Sequence, residues 1–237
     1  MNVSIVIPAH NEEADIAATI EGVLKNVSIE YELIVVLDHC TDKTEEIVRG
    51  FMAKNPQIRI AENKDRRGSF SNSVITGFNA ANGTAIVTLM ADNCDDATTI
   101  NRMWEKIENN VADVVCASRY MKGGAKIGGP RLQDILSRLT CYSLKILTGM
   151  PTWDIANAYK MYRTTVLKSL KYDIPNNGTE YSMGILYKAY FKGARITEVP
   201  TTWRGQSIPV ADEWKILKRF PGYWYWYKRA IEKKEQE

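Results

Sequence analysis

Apolar positions in the first 118 residues fall in short runs rich in valine and isoleucine, separated by stretches with helical spacing. The runs predict strands at 3–7, 32–37, 57–62, 84–89 and 112–118. The spaced stretches predict helices at 13–25, 42–54, 69–81 and 97–109. Strands that alternate with helices favour an α/β fold with a mostly parallel sheet and helices on both faces.

The pattern changes after residue 118. A glycine-rich stretch at 122–130 predicts a loop over the site, because glycine favours irregular backbone. The remaining elements are predicted as a long helix at 131–148, a strand at 158–162, a helix at 180–192, a strand at 195–199 and two C-terminal helices divided by Pro221 and Gly222.

Three polar segments follow predicted strands, at 8–12, 38–44 and 90–96. The carboxyl ends of parallel strands meet at one edge of the sheet, where open α/β sheets bind ligands. The third segment is acidic, and its carboxylate oxygens suit Mg²⁺ or Mn²⁺. Asp95 or Asp96 has an alternative role, which is to cap the helix that starts near Ala97.

Composition is that of one globular domain, with 45% apolar and 25% charged residues. A net charge of +3 is too small to indicate nucleic-acid binding. The charge is unevenly distributed, because residues 215–234 contain seven lysines and arginines and one glutamate. Such asymmetry indicates an interaction surface near the C-terminus.

The cysteines point to a reducing environment. All four lie far apart without a C-x-x-C pair, and the chain has two histidines, which argues against a structural zinc site. The first strand begins at Val3 and no long uninterrupted apolar segment follows, so neither a signal peptide nor a membrane span is expected. We therefore predict a cytoplasmic protein.

Several motifs in order resemble those of family 2 glycosyltransferases. Residues 6–13 are similar to the family's opening I-P-x-x-N-E-E, and residues 38–44 to its D-G-S-T-D-x-T turn. The match continues with Asn63 and Gly68, Met90-Ala91-Asp92 at the D-x-D position, 118–120, 154–159 and 198–200. The resemblance is closest to the dolichyl- or polyprenyl-phosphate mannose synthase branch.

This resemblance implies a GT-A fold over residues 1–210, followed by aromatic and basic helices over 211–237. It also implies an inverting enzyme with a GDP- or UDP-hexose donor and Mg²⁺ or Mn²⁺. By position, the residues implied to bind the donor are Pro8, His10, Glu12, Val36, Asp38, Ala91, Asp92 and Arg119. Asp92 is implied to hold the metal, and Arg119 to meet the diphosphate or the acceptor's phosphate.

The chain departs from the family pattern at three positions. Leu37 and Met90 stand where the family has aspartates, and a thioether is a poor ligand for a hard cation. We therefore predict Asp95 as a second metal carboxylate. Gln206 replaces an arginine of the branch, and we predict that Arg204 and Lys215 supply the missing positive charge.

The acceptor decides whether a base is needed. A lipid phosphate is mostly ionised at neutral pH, whereas a sugar hydroxyl needs a general base, for which Asp154 is the candidate. A buried turn carboxylate is an equal alternative for Asp154. Arg131 and Arg138 either contact an acceptor phosphate or line a solvated helix face.

Aromatic and cationic residues alternate over 214–231, which suits a helix at a membrane interface. The alternative is a helix packed on the domain with its cations exposed. Together these features predict a hexosyltransferase acting on a polyprenyl phosphate at the cytosolic face of the membrane. Two alternatives are transfer to a hydroxyl of a surface glycan, and a degenerate member that binds nucleotide sugar without turnover.

Overall fold

A computed structural model describes residues 1–65, 68–129, 131–170 and 181–205. The predicted C-terminal helices, Gln206 and Lys215 lie outside the described residues. The predicted helix at 180–192 is described from Tyr181 onward.

Nine strands and seven helices are defined within these ranges. The strands are β1 Val3–Ala9, β2 Tyr31–Leu37, β3 Ile58–Glu62, β4 Ala85–Thr88, β5 Val114–Ser118, β6 Ala125–Gly128, β7 Lys160–Arg163, β8 Ile196–Pro200 and β9 Thr202–Gly205. The helices are α1 Ile16–Asn26, α2 Thr44–Met52, α3 Phe70–Ala80, α4 Thr99–Glu108, α5 Arg131–Thr148, α6 Thr164–Ser169 and α7 Tyr181–Phe191.

The main sheet has seven strands in the order β3-β2-β1-β4-β7-β5-β8. β7 runs antiparallel to both its neighbours, β4 and β5. The other pairings are parallel, and the pairing of β1 with β2 places Pro8 beside Val36. The predicted α/β class with a mostly parallel sheet is confirmed.

Each strand of the sheet's centre contributes to two cores, one on each face. In β2, Leu33 and Val35 pack in the cluster that includes α1, whereas Ile34 and Val36 pack in the cluster that includes α3. Burial on both faces explains why these strands read as continuous apolar runs. A Cβ added at Gly77 would lie 2.2 Å from Val6 Cγ1, so glycine allows α3 to approach β1 closely.

The prediction of a loop at 122–130 is wrong for its second half. Residues 125–128 form β6, which pairs in parallel with β9 as a separate two-stranded sheet. Glycines flank and end this segment, so its local strand propensity is low. Tertiary contacts supply the order: Lys126 stacks over the ring of Trp203, with its Nζ 5.2 Å from the ring centroid.

In the described part of the chain, no helix combines the length and the apolar character needed to cross a bilayer.

Candidate active site

The antiparallel direction of β7 determines which residues meet at the edge of the sheet. The parallel strands end there, and β7 begins there. The segment before Lys160, which carries Asp154, therefore faces the end of β5, where Arg119 follows Ser118. This topology gathers the loops after β1, β2, β4 and β5 around one site.

Asp38 lies at the end of β2 and is buried. Its carboxylate Oδ1 accepts a hydrogen bond from Asn63 Nδ2 at 2.8 Å. Gly68 lies against the same carboxylate, since a Cβ there would be 3.1 Å from Oδ1. Asn63 lies next to Asp38 because β3 is parallel to β2. The sequence marked Asn63 only as part of the family motif with Gly68.

The backbone carbonyl of Asp38 fixes the ring of His10. The ring nitrogen Nδ1 contacts that carbonyl, which can only accept, so Nδ1 carries the proton. Glu12 follows nearby, and its backbone N–H donates to Thr44 Oγ1 at 2.8 Å. Burial and the charge of Asp92 raise the pKa of Glu12, which shows that these two carboxylates share one region of negative potential.

Pro8 and Val36 are both buried next to each other at the end of the sheet. The side chain of Val36 packs in the core with Val6 and Val74 and has no exposed surface. The prediction that Val36 lines the donor pocket therefore needs correction, because its side chain serves the α3 interface.

The acidic segment after β4 is held in place by local hydrogen bonds. The carbonyl of Ala91 accepts from Thr19 Oγ1 of α1 at 2.8 Å. Asp92 Oδ1 accepts from the N–H of Cys94 at 3.1 Å, and Asn93 has a left-handed φ of 53°. This turn fixes the position of Asp92 relative to the end of the sheet.

The two neighbouring aspartates of this segment have different environments. Asp96 Oδ1 accepts from the N–H of Thr98 at 3.0 Å and from its hydroxyl at 2.6 Å, immediately before α4. Asp95 has both carboxylate oxygens buried, and neither accepts a hydrogen bond of standard geometry from a described residue. The role at the start of the helix thus belongs to Asp96 and not to Asp95.

The electrostatics of Asp95 fit a cation. Burial and the charge of Asp92 raise its pKa to about 7, against the opposing influence of Arg119 and the Met90 backbone. Burial and Asp92 likewise raise the pKa of the Cys94 thiol to about 12, so this thiol is neutral and a poor metal ligand. A divalent cation beside Asp92 and Asp95 would relieve this concentration of negative potential.

A metal at this place would have few protein ligands. Among the described residues, no group of three histidine, cysteine, aspartate or glutamate side chains is arranged to hold an ion. Two carboxylates completed by diphosphate oxygens and water are the usual arrangement for Mg²⁺ bound with a nucleotide. The residues present therefore fit a metal shared with a phosphorylated substrate.

The small sheet attaches to the acidic segment. The N–H of Arg204 in β9 donates to the carbonyl of Cys94 at 2.8 Å. The backbones of Trp203 and Asp95 form an isolated antiparallel β-bridge. A cleft of about 250 Å³ opens here, with Asp95 and Arg204 among its lining residues. β9 thus brings Arg204 to the acidic segment, and the predicted use of its charge stays a prediction.

Arg119 and Asp154 form a buried ion pair. Arg119 Nε lies 2.7 Å from Asp154 Oδ2, and Nη2 lies 2.8 Å from Oδ1. The backbone N–H of Arg119 also donates to Oδ2 at 2.9 Å. Because both oxygens of Asp154 are engaged, this geometry favours a role in holding Arg119 over the predicted role as a general base.

The turn that carries Asp154 is itself anchored by Glu198, which the sequence marked as part of a motif without a role. Glu198 Oε2 in β8 accepts from Thr152 Oγ1 at 3.0 Å and from the N–H of Trp153 at 2.8 Å. The sequence gives little sign of this role, because the residues that Glu198 contacts lie more than forty positions earlier in the chain.

Arg138 lies close to Arg119 because both guanidinium groups contact the ring of Tyr120. The guanidinium of Arg138 is 4.5 Å from the centroid of Tyr120, and that of Arg119 is 5.0 Å from it. Asp134 pairs with Arg138 at 3.0 Å. Arg131 begins α5 on the exposed side. The structure therefore brings Arg138 next to the candidate site.

Residues 4–171 match the model of glycosyl transferase family 2. Glycosyltransferase AglD of Haloferax volcanii is 25% identical over 90% of this chain, which spans 34% of that protein. The undecaprenyl-phosphate mannosyltransferase of Micrococcus luteus is 26% identical over 94% of this chain and 97% of its own length. Two further relatives are the dolichol-phosphate mannosyltransferase of Pyrococcus furiosus and the polyprenol monophosphomannose synthase of Mycolicibacterium smegmatis.

Solved structures support the fold. Glucosyl-3-phosphoglycerate synthase from Mycobacterium tuberculosis, in complex with Mn²⁺, UDP and glucosyl-3-phosphoglycerate, matches with a TM-score of 0.69. The match covers 92% of this chain and 76% of that one, at 20% identity. The α/β sheet described above is therefore that of the GT-A glycosyltransferases.

Proposed function

Because this chain belongs to glycosyl transferase family 2, we propose that it transfers a hexose from a GDP- or UDP-sugar to a polyprenyl or dolichyl phosphate. We propose that the reaction inverts the anomeric carbon, uses Mg²⁺ or Mn²⁺ and takes place at the cytosolic face of a membrane. The observation that carries the proposal is the Asp95 carboxylate beside Asp92, which is buried and accepts no hydrogen bond of standard geometry from the residues that the structure describes.

The donor's nucleoside is proposed to lie between Pro8, His10 and Asp38. Asp38 is a buried acceptor held by Asn63, which suits an N–H of a base. The ring of His10 is fixed by its bond to the Asp38 carbonyl and provides a wall rather than a mobile base. Both uracil and guanine offer such N–H groups, so the two bases remain open.

The diphosphate is proposed to lie along Ala91, Asp92 and Asp95, with Glu12 close by. Asp92 and Asp95 would hold the metal, which when bound neutralises the charge that develops on the diphosphate leaving group. Arg119 uses Nε and Nη2 for Asp154 and has Nη1 for a phosphate oxygen. Arg204 adds a second positive charge at the cleft that Asp95 also lines.

The engagement of Asp154 supports a phosphate acceptor. A phosphate monoester has a second pKa of about 6, so it is largely ionised at neutral pH and needs no base. A hydroxyl acceptor needs one, and Asp154 has both oxygens occupied by Arg119. The printed name of the Micrococcus relative, an undecaprenyl-phosphate mannosyltransferase, points to the same acceptor class.

A turnover assay tests the proposal. Purified protein is incubated with a panel of GDP- and UDP-sugars, Mn²⁺ or Mg²⁺ and polyprenyl phosphate, and nucleotide release is followed together with lipid-linked sugar. We expect metal-dependent sugar transfer to the lipid, and a loss of about 100-fold or more in Asp92→Asn. Asp96→Ala is the matched control, because Asp96 bonds Thr98 and is expected to retain activity.

The other outcomes identify the alternatives. Nucleotide release without lipid product contradicts the lipid acceptor and points to a hydroxyl of a glycan. Nucleotide binding without release for any donor contradicts the proposal and favours a degenerate member. In that case Met90, at the position of the first D-x-D aspartate, becomes the residue to revert.

A further inference from the structure

The outer side of α5 is apolar where a surface helix is normally polar. Ser137, Cys141 and Leu144 are buried against the domain and define the inner side. Ile135, Leu139 and Ile146 on the opposite side are 57%, 61% and 78% exposed. A helix at the surface usually keeps its apolar residues in the stripe that faces the core.

These residues form one continuous stripe. Ile135, Leu139, Tyr142 and Ile146 follow one another at intervals of four, three and four residues, which places them on the same side of an α-helix. We call this stripe the outer face of α5.

Cations run along one side of the outer face. Arg131, Arg138 and Lys145 recur every seven residues, which is close to two helical turns. Asp134 is the carboxylate of α5, and it pairs with Arg138 and Lys126. Trp153 lies beside the outer face, 41% exposed, with its ring 5.4 Å from Tyr142 and 4.4 Å from Lys145 Nζ.

We infer that the outer face of α5 binds the surface of an anionic lipid bilayer. Aliphatic residues, an interfacial tryptophan and a parallel row of cations match the apolar boundary and the anionic headgroups of such a surface. The inference deepens the proposed function, on which it rests for the lipid acceptor. It concerns a different element from the aromatic and basic C-terminal segment.

The position of the outer face also suits delivery of a lipid phosphate. Arg138 of the cation row and Arg119 of the candidate site contact the same Tyr120 ring. A lipid phosphate at the headgroup level of a bilayer under α5 would lie next to Arg138. Only the ring of Tyr120 would then separate it from Arg119. Contiguity of membrane surface and acceptor site is what an enzyme acting on an embedded lipid requires.

Flotation with vesicles tests the inference. The full chain is mixed with vesicles of phosphatidylcholine containing phosphatidylserine, and with phosphatidylcholine alone, both without polyprenyl phosphate. The test variant combines Ile135→Gln, Leu139→Gln and Ile146→Gln, and Val111→Gln is the control because Val111 is 55% exposed on the loop after α4. We expect at least a tenfold loss of binding to anionic vesicles for the triple variant, because partial burial of three aliphatic side chains already supplies more than that, and we expect no loss for the control.

Full vesicle binding by the triple variant would overturn the inference and would assign membrane contact to another part of the chain. A change from dimer to monomer in lipid-free solution, with vesicle binding unchanged, would also overturn it in favour of a second copy of the chain. Sugar transfer to a water-soluble, short-chain prenyl phosphate is measured in parallel. The triple variant is expected to retain it, so loss of vesicle binding and failure of the proposed reaction are separate results.

Discussion

A buried carboxylate lies at each end of the central strands. The two carboxylates differ in their hydrogen bonds and in the direction of their pKa shifts. At the amino end, Glu32 Oε1 accepts from Ser4 Oγ at 2.6 Å and from the N–H of Asn82 at 2.7 Å, and Arg59 bonds Oε2. Burial would raise the pKa of Glu32, but these hydrogen bonds outweigh it and lower the pKa.

At the carboxyl end, Asp95 has no such partners among the described residues, and burial with the charge of Asp92 raises its pKa to about 7. Glu32 is therefore a carboxylate whose hydrogen bonds stabilise the fold, whereas Asp95 is a carboxylate whose oxygens stay available to a ligand. A buried charge without partners is costly, and a cation bound beside Asp95, as proposed above, would offset that cost.

The largest expected effect concerns the buried ion pair at the carboxyl end. Asp154→Ala leaves the Arg119 guanidinium, 12% exposed, without its bidentate partner. We expect the free energy of unfolding to fall by about 3–5 kcal/mol in urea titrations. The exposed pair of Arg49 with Glu45 is the control, and Glu45→Ala should cost no more than about 0.5 kcal/mol. Equal losses in the two variants would contradict a buried, structurally important pair.

Asp95→Asn is expected to stabilise the metal-free protein at pH 8, by roughly 2–3 kcal/mol, because it removes a buried charge. The ordinary pKa of an aspartate carboxyl is 3.8, and the pKa of Asp95 in the folded protein is about 7. Between these values the folded protein keeps a proton that the unfolded chain releases, so wild-type stability falls as pH rises through this window. Urea titrations at pH 5 and pH 8 measure the effect; a gain that is equal at both, or a loss at pH 8, contradicts the assignment.

Glu32→Gln is expected to lower the free energy of unfolding, whereas Asp95→Asn is expected to raise it. We expect a loss of about 1.5–3 kcal/mol at pH 7, since the variant removes a charge that is hydrogen-bonded at both oxygens. Because the pKa of Glu32 is lowered in the folded protein, its charge contributes stability above the ordinary pKa of 4.5, and that stability is lost as pH falls through the folded pKa. The difference between variant and wild type should therefore shrink below pH 4.5, while kcat stays unchanged. A fall in kcat without a fall in stability would show that the amino end also serves the reaction.

The smallest effect is expected from Asp96→Ala, which removes the acceptor for Thr98 ahead of α4. We expect a loss of about 1 kcal/mol in stability and no change in metal affinity. Thermal unfolding and Mn²⁺ titration measure the two. A drop in metal affinity as large as that of Asp95→Asn would mean that the two aspartates act together.

The sequence predicted the sheet, its helices and its polar edge because these depend on local patterns. Continuous apolar runs and helical spacing identified β1 to β5 and α1 to α5 within a few residues. The segment after β4 was found for the same reason, since its carboxylates follow a buried strand directly. Asp95 and Asp96 were alternatives for the role at the start of the helix, and the hydrogen bonds of Asp96 to Thr98 decide between them, whereas the metal role of Asp95 stays a prediction.

What the sequence could not predict depends on contacts between distant segments. The pairing of β6 with β9 joins residues far apart in the chain, and neither has strong strand propensity. Asp154 meets Arg119 because β7 enters the sheet in the reverse direction, which no local pattern encodes. The position of Val36 shortly before Asp38 predicted a pocket residue, but its side chain lies on the face of β2 that packs in the core with α3.

The most direct test of this account is calorimetric titration of Mn²⁺ into the protein at pH 7 with a nucleoside diphosphate, for wild type and Asp95→Asn, in buffers of different ionisation enthalpy. We predict that metal binding to wild type releases a fraction of a proton, since Asp95 must be ionised to bind the cation. We predict at least tenfold weaker binding and no such release in Asp95→Asn. Equal affinity and equal proton release in both proteins would contradict the assignment of Asp95 as the carboxylate kept available for the metal.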